Sequence, residues 1–187
     1  MRLASLDTCF LIDWALYRRR NYIIKIFDKI LISEHVLREI YSGKTLDFVT
    51  ELLSKGFMTL IPLTSQEEEI ARRLITIALS DPRIPELHET EVYAVAIALT
   101  YNTIIVTENK AVLWLKVYYP NEIPQPVWRS IDVLLELVKK SVIKVNNIED
   151  ALKIVEEYSI DVKHSFSHID IRRFQEEVML WLTQQNS

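Results

Sequence analysis

Short apolar runs alternate along the chain with longer amphipathic stretches, and this alternation restricts the fold more than any other feature. Residues 2–6 (RLASL), 29–33 (KILIS), 57–63 (FMTLIPL) and 103–106 (TIIV) are too short for stable helices and mostly apolar, so each reads as a buried strand. Pro62 ends the third. Residues 8–20 read as helical. After the second strand, Val36, Leu37, Ile40 and Tyr41 recur at helical spacing, with Gly43 as a helix stop. A helix over 45–55 places Leu46, Val49, Leu52 and Leu53 on one face. Ser65, followed three residues on by Glu68, has the spacing of a capping box and opens a helix to about Leu79. SDPRIPEL (80–87) is a loop, residues 89–101 a buried helix, and 111–117 a further helix.

Strands separated by one or two helices imply an α/β three-layer sandwich. Its central sheet is mostly parallel, with four or five strands and the first strand in the middle. YYPNEIPQP (118–126) is the clearest connector. It divides an α/β domain, 1–126, from a C-terminal helical extension, 127–187, with helices near 131–140, 148–158 and 169–182. Phe174, Val178, Trp181 and Leu182 give the last helix more apolar surface than a solvated tail needs, so it is expected to pack on the core or across a homodimer.

The remaining bounds are broad. With 49% hydrophobic residues the chain can build a real core, and only 2 glycines argue against long flexible linkers. The single cysteine, Cys9, excludes an internal disulfide, fits a reducing cytoplasmic setting and reads as a small buried side chain. No apolar stretch approaches the roughly 20 residues of a membrane span, and the first residues do not read as a signal peptide. A net charge of −4 weighs against nucleic-acid binding by global positive charge, though not against a local basic strip.

In open parallel sheets, ligands bind at the carboxyl ends of the strands. Asp7 directly follows the first strand, Glu39 lies in the helical stretch after the second, Glu91 opens the helix before the fourth, and Glu108 and Asn109 follow the fourth. Carboxylates converging there repel one another unless a divalent cation neutralises them, and oxygen donors of this kind suit Mg²⁺ or Mn²⁺. Each acid also has a plainer reading: Asp7 as a helix cap, Glu39 as a solvated charge, Glu91 as a complement to the helix dipole.

LDTCFLI (6–12), SEHVLREIYSG (33–43) and EVYAVAIALTYNTIIVTEN (91–109) occur in order and with spacing that resembles the three blocks of the PIN-domain nucleases, the VapC-type toxins and their relatives. The resemblance covers about residues 1–117, and more loosely 127–165. It implies a PIN-like sandwich and a Mg²⁺- or Mn²⁺-dependent endoribonuclease, often dimeric and often paired with an antitoxin. It makes Asp7, Glu39 and Glu91 the catalytic metal ligands, with Asn109, Glu108 and Glu89 completing the set. The sequence departs from the family where its third acid is usually Asp and here is Glu91, and where its fourth position holds the neutral Asn109.

Thr8 and Thr107 flank strand ends, where their hydroxyls can orient carboxylates or cap helices. Arg18, Arg19 and Arg20 form the one dense basic cluster with aromatic neighbours and are the candidates for RNA contact, against a solvated helix end. Asp13, six residues beyond Asp7, reads as a surface acid. The four histidines show no zinc spacing.

Overall fold

The computed structural model describes residues 1–185. The chain runs β1 (Leu3–Leu6), α1 (Thr8–Leu16), a 3-10 turn (Arg20–Lys25), β2 (Lys29–Ser33), α2 (Glu34–Arg38), α3 (Gly43–Ser54), β3 (Met58–Ile61), α4 (Ser65–Ser80), α5 (Glu89–Tyr101), β4 (Ile104–Val106), α6 (Lys110–Tyr118), β5 (Val127–Trp128), α7 (Ser130–Lys139), α8 (Ile148–Val162) and α9 (His168–Gln185). The five strands form one sheet in the order β3-β2-β1-β4-β5, with every neighbouring pair parallel and β1 in the middle.

Strand period two assigns each apolar side chain to a layer. Ala4, Leu6, Ile30, Ile32 and Val106 share one buried cluster with side chains of α1, α3, α7, α8 and α9, among them Phe10, Phe48, Leu134, Tyr158 and Phe174. Ile105 falls in a second cluster with α4, α5 and α6, and Leu31 packs with Ile61 and Ile97 of α5. A sheet covered on both faces explains why the strands are apolar runs rather than alternating ones.

The C-terminal helices belong to the same core as β1. Trp14, Tyr17 and Tyr158 meet at centroid distances of 5.2–5.7 Å, contacts worth about 0.5–1.5 kcal/mol each beyond their burial. Phe174 and Val178 of α9 are buried. The boundary drawn at 126/127 falls at the start of β5, which pairs with β4, so the segment 127–187 contributes a strand to the sheet as well as helices.

Several local expectations shift. Residues 8–20 are not one helix: α1 stops at Leu16, and Tyr17 is extended (φ −67°, ψ 130°) and buried against Trp14 and Tyr158. Gly43 does not stop a helix. It begins α3, α2 having already ended at Arg38. The capping box sits one residue earlier than the Ser65/Glu68 spacing suggests. Thr64 is the cap, and the Glu67 carboxylate reaches back to accept the Thr64 backbone N–H at 2.9 Å. β5 has two residues, below the length at which periodicity is readable, and it is fixed by Ile105 and Thr107 donating to the carbonyls of Pro126 and Trp128 at 2.9 Å.

Candidate active site

The strand order reverses at β1. From there the chain builds outward through β2 and β3, then returns to add β4 and β5 on the other side. α1, leaving β1, packs on one face, and α6, leaving β4, packs on the other. The region beyond the carboxyl ends of β1 and β4 is therefore the topological switch point, the crevice where open α/β sheets bind ligands.

Asp7 and Thr107 face each other across that point. Asp7 is wholly buried, and its Oδ1 accepts the Phe10 N–H at 2.7 Å, capping α1. Its Oδ2 accepts the Thr107 hydroxyl, whose oxygen in turn accepts the Asn109 N–H at 2.9 Å. Asp7 is therefore a helix cap and a buried carboxylate at the switch point at once. Burial pushes its pKa up to about 7. The hydrogen bonds from Thr107 and Phe10 oppose the rise, and the nearby Glu91 and Glu108 carboxylates add to it.

Most of the other candidate residues have side-chain oxygens engaged by the protein. Glu91, 7% exposed, accepts the His88 backbone N–H at 2.7 Å and closes the first turn of α5. Glu108 accepts the Ser130 N–H at 2.6 Å, the Ser130 hydroxyl at 2.5 Å and the Arg129 Nε–H at 3.1 Å, joining the exit of β4 to the start of α7. Asn109 Oδ1 caps α6 by accepting the Ala111 and Val112 N–H groups at 2.7 and 3.3 Å. Glu39 is the exposed C-cap of α2, and the exposed Glu89 accepts the Tyr93 hydroxyl at 3.1 Å. Thr8 is buried, and its hydroxyl makes no hydrogen bond. Among the described residues no group of three or more His, Cys, Asp or Glu side chains is arranged to hold a metal ion.

Cys9 is exposed rather than buried, because α1 directs Thr8, Phe10, Leu11 and Trp14 inward and leaves Cys9 on the opposite side. Its thiol reports the local field. Partial burial comes first, then Asp7, Glu91, Asp13 and Glu39, and together they push its pKa to about 11. Four carboxylates thus act on one atom. Such a thiol stays protonated near neutral pH and is a poor nucleophile.

Asp13 lies nearer to these residues than its spacing from Asp7 suggests. Asp7 precedes α1 as its cap, so a helical angle measured from it misleads; Cys9 and Asp13, four apart within α1, share a face. Asp13 is half-buried and lies 3.6 Å from His164 Nδ1, while His164 Nε2 lies 3.7 Å from Glu108. Lys163, left-handed at φ 56°, ends α8 and precedes His164, which then packs on Phe166 at 4.7 Å. A hydrogen bond to Asp13 holds the His164 pKa above its ordinary value, burial working against it. No residue spacing signals this histidine, since it reaches the crevice only through the packing of α8 on α1.

The basic cluster is occupied. Arg18 pairs with Asp161 at 2.7 Å and Arg19 with Glu157 at 2.7 Å, both on α8. Arg20 donates to the Ala15 carbonyl at 3.0 Å and lies over the Phe48 ring. These guanidiniums tie α8 to the end of α1.

No family model and no curated protein matches the chain. Among solved structures, a crystal structure of FitAcB from Neisseria gonorrhoeae is 16% identical, with a TM-score of 0.45, covering 68% of this chain and 96% of that one. A likeness at that level carries no functional argument. No described helix is long and apolar enough to cross a membrane.

Proposed function

We propose that the chain is a metal-dependent endoribonuclease of the PIN-domain type that hydrolyses RNA phosphodiester bonds in its crevice. One observation carries the reading: a buried carboxylate, Asp7, sits at the switch point with its pKa pushed up to about 7 by burial and by Glu91 and Glu108 beside it. The charge on such a group costs the fold stability even though the carboxyl caps α1, and a divalent cation would relieve it. The donor chemistry fits Mg²⁺ or Mn²⁺, being oxygen throughout. Asp7, Glu91 and Glu39 would hold the ion, and Glu108, Asn109 and Glu89 would complete the set. When bound, the ion supplies charge neutralisation and an acidified water for attack at phosphorus.

The chain's own residues prepare the site. Thr107 and the α1 N-terminus fix both Asp7 oxygens, so this carboxylate loses little freedom on binding a cation. Arg129 and Ser130 hold Glu108 at the crevice wall. The reading extends to the cytoplasm as compartment, to a protein antitoxin and to a homodimer, for which Met179 and Leu180 remain exposed on α9.

A second reading has its own support. Glu91, Glu108 and Asn109 all spend side-chain oxygens on backbone caps or ion pairs, as expected of a PIN-like module that binds RNA or protein without turning RNA over. Turnover decides between them. A fluorophore–quencher RNA incubated with the chain in Mn²⁺, Mg²⁺ or EDTA should be cleaved only with metal, and not by Asp7→Asn. Metal binding without turnover would leave the binding module standing.

A further inference from the structure

Helix α6 leaves the crevice with a pattern that the acidic site does not use. Lys110, Trp114 and Tyr118 fall at successive i, i+4 positions, a cation followed by two aromatics on one face. The rings of Trp114 and Tyr118 are stacked, 5.4 Å between centroids and 13° between planes. The Arg83 guanidinium lies 4.0 Å from the Tyr118 centroid. Arg83 is itself pinned: Asp81 holds it at 2.5 Å, and Tyr119 donates its hydroxyl to Asp81 at 2.9 Å. Guanidinium, phenol and indole make a preorganised ladder, yet Trp114 is 42% and Tyr118 37% exposed, where burial would be the rule for rings that only fill a core.

The ladder opens into a groove of about 670 Å³, lined by Trp114, Lys110, Phe166 and Ile169 and reaching Arg129 at the crevice, where Glu108 and Asp170 pair with it. The Lys110 ammonium has no hydrogen bond or ion pair among the described residues. An exposed aromatic ladder, an unpaired lysine and a groove that ends at candidate site residues are the parts of a single-strand platform, on which bases stack without sequence readout while cations follow the backbone.

We propose that this face of α6 docks single-stranded RNA, an unpaired base stacking on Trp114 and the backbone passing Lys110 toward Glu108 and Arg129. The direction of the strand rests on the nuclease reading; the stacking does not.

The test is fluorescence anisotropy of a labelled single-stranded RNA 12-mer with the full chain in EDTA, where no metal-dependent cleavage intervenes. Trp114→Ala should weaken binding by about 5- to 100-fold, the range that loss of one stacked base gives. Trp114→Phe, which keeps a ring, should stay within about threefold of wild type. A 12-mer abasic at every position should bind wild type and Trp114→Ala alike. Lys110→Gln should reduce the slope of log affinity against log salt by about 0.7. Equal RNA binding by wild type and Trp114→Ala would overturn the proposal. So would a loss shared by Trp114→Phe, a loss equal for RNA and abasic strand, or a wild-type dimer that Trp114→Ala dissociates with RNA affinity unchanged, which would make the face a contact between copies. Stacking without any metal-dependent cleavage would defeat the nuclease reading alone; cleavage with unaltered binding by Trp114→Ala would defeat the platform alone.

Discussion

Replacing Asp7 by Asn should make the metal-free protein more stable at neutral pH. The substitution leaves the local geometry serviceable. Asn caps helices about as well as Asp, so the Phe10 N–H keeps an acceptor, and the amide can donate to the Thr107 oxygen in place of the present bond. What disappears is a buried charge. The folded carboxyl has a pKa near 7 against 3.8 in the unfolded chain, so between those values the folded state binds more protons and stability falls as pH rises. At about 1.4 kcal/mol per pKa unit, the gap sets an upper bound of about 4 kcal/mol, reached above pH 7 and absent below pH 4. For a chain of this size that is about 10 °C in melting temperature. Thermal melts in EDTA at pH 4 and pH 8 read it directly. Asp7→Asn should melt with wild type at pH 4 and several degrees above it at pH 8. A variant less stable than wild type at pH 8, or an offset equal at both pH values, would refute the reasoning and leave Asp7 as a cap alone.

Two further consequences follow from the same geometry. Thr107→Val removes the hydroxyl that donates to Asp7 and accepts from the Asn109 N–H; it should cost about 1–3 kcal/mol in urea denaturation at pH 8, with a smaller loss at pH 4 where Asp7 is neutral, and an equal loss at both would contradict the charge account. Cys9, although exposed, should react with iodoacetamide at pH 8 about a hundredfold more slowly than an ordinary thiol, since a pKa near 11 leaves it almost wholly protonated, and Mn²⁺ should accelerate the reaction; an ordinary rate would show that the four carboxylates do not act on it.

The fold was largely readable because a two-faced parallel sheet writes itself into the chain as short apolar runs. KILIS at 29–33 and the buried helix 89–101 coincide with β2 and α5 residue for residue. β5 was not readable, since two residues carry no period and its identity lies in pairing with β4. The start of α3 is not legible because Gly43 reads as punctuation, whereas α3 begins there with Ser42 extended in the N-cap position. Within the crevice, residues next to strand ends were legible: Asp7 and Thr107 meet where strand order alone would put them. Residues that arrive by tertiary packing were not. His164 enters because Tyr158 packs on Trp14 and Tyr17, and Asp13 reads as surface until α8 is laid over it. Arg18 and Arg19 looked like free charge because their partners, Asp161 and Glu157, lie far along the chain.

The central claim is that the Asp7 crevice binds a divalent cation, and a calorimetric Mn²⁺ titration of the full chain at pH 7.5 tests it most directly. The account predicts saturable binding by wild type, release of protons because Asp7 is partly protonated at that pH, and loss of the binding in Asp7→Asn. Identical titrations of wild type and Asp7→Asn, or no heat and no proton release at millimolar Mn²⁺, would contradict it.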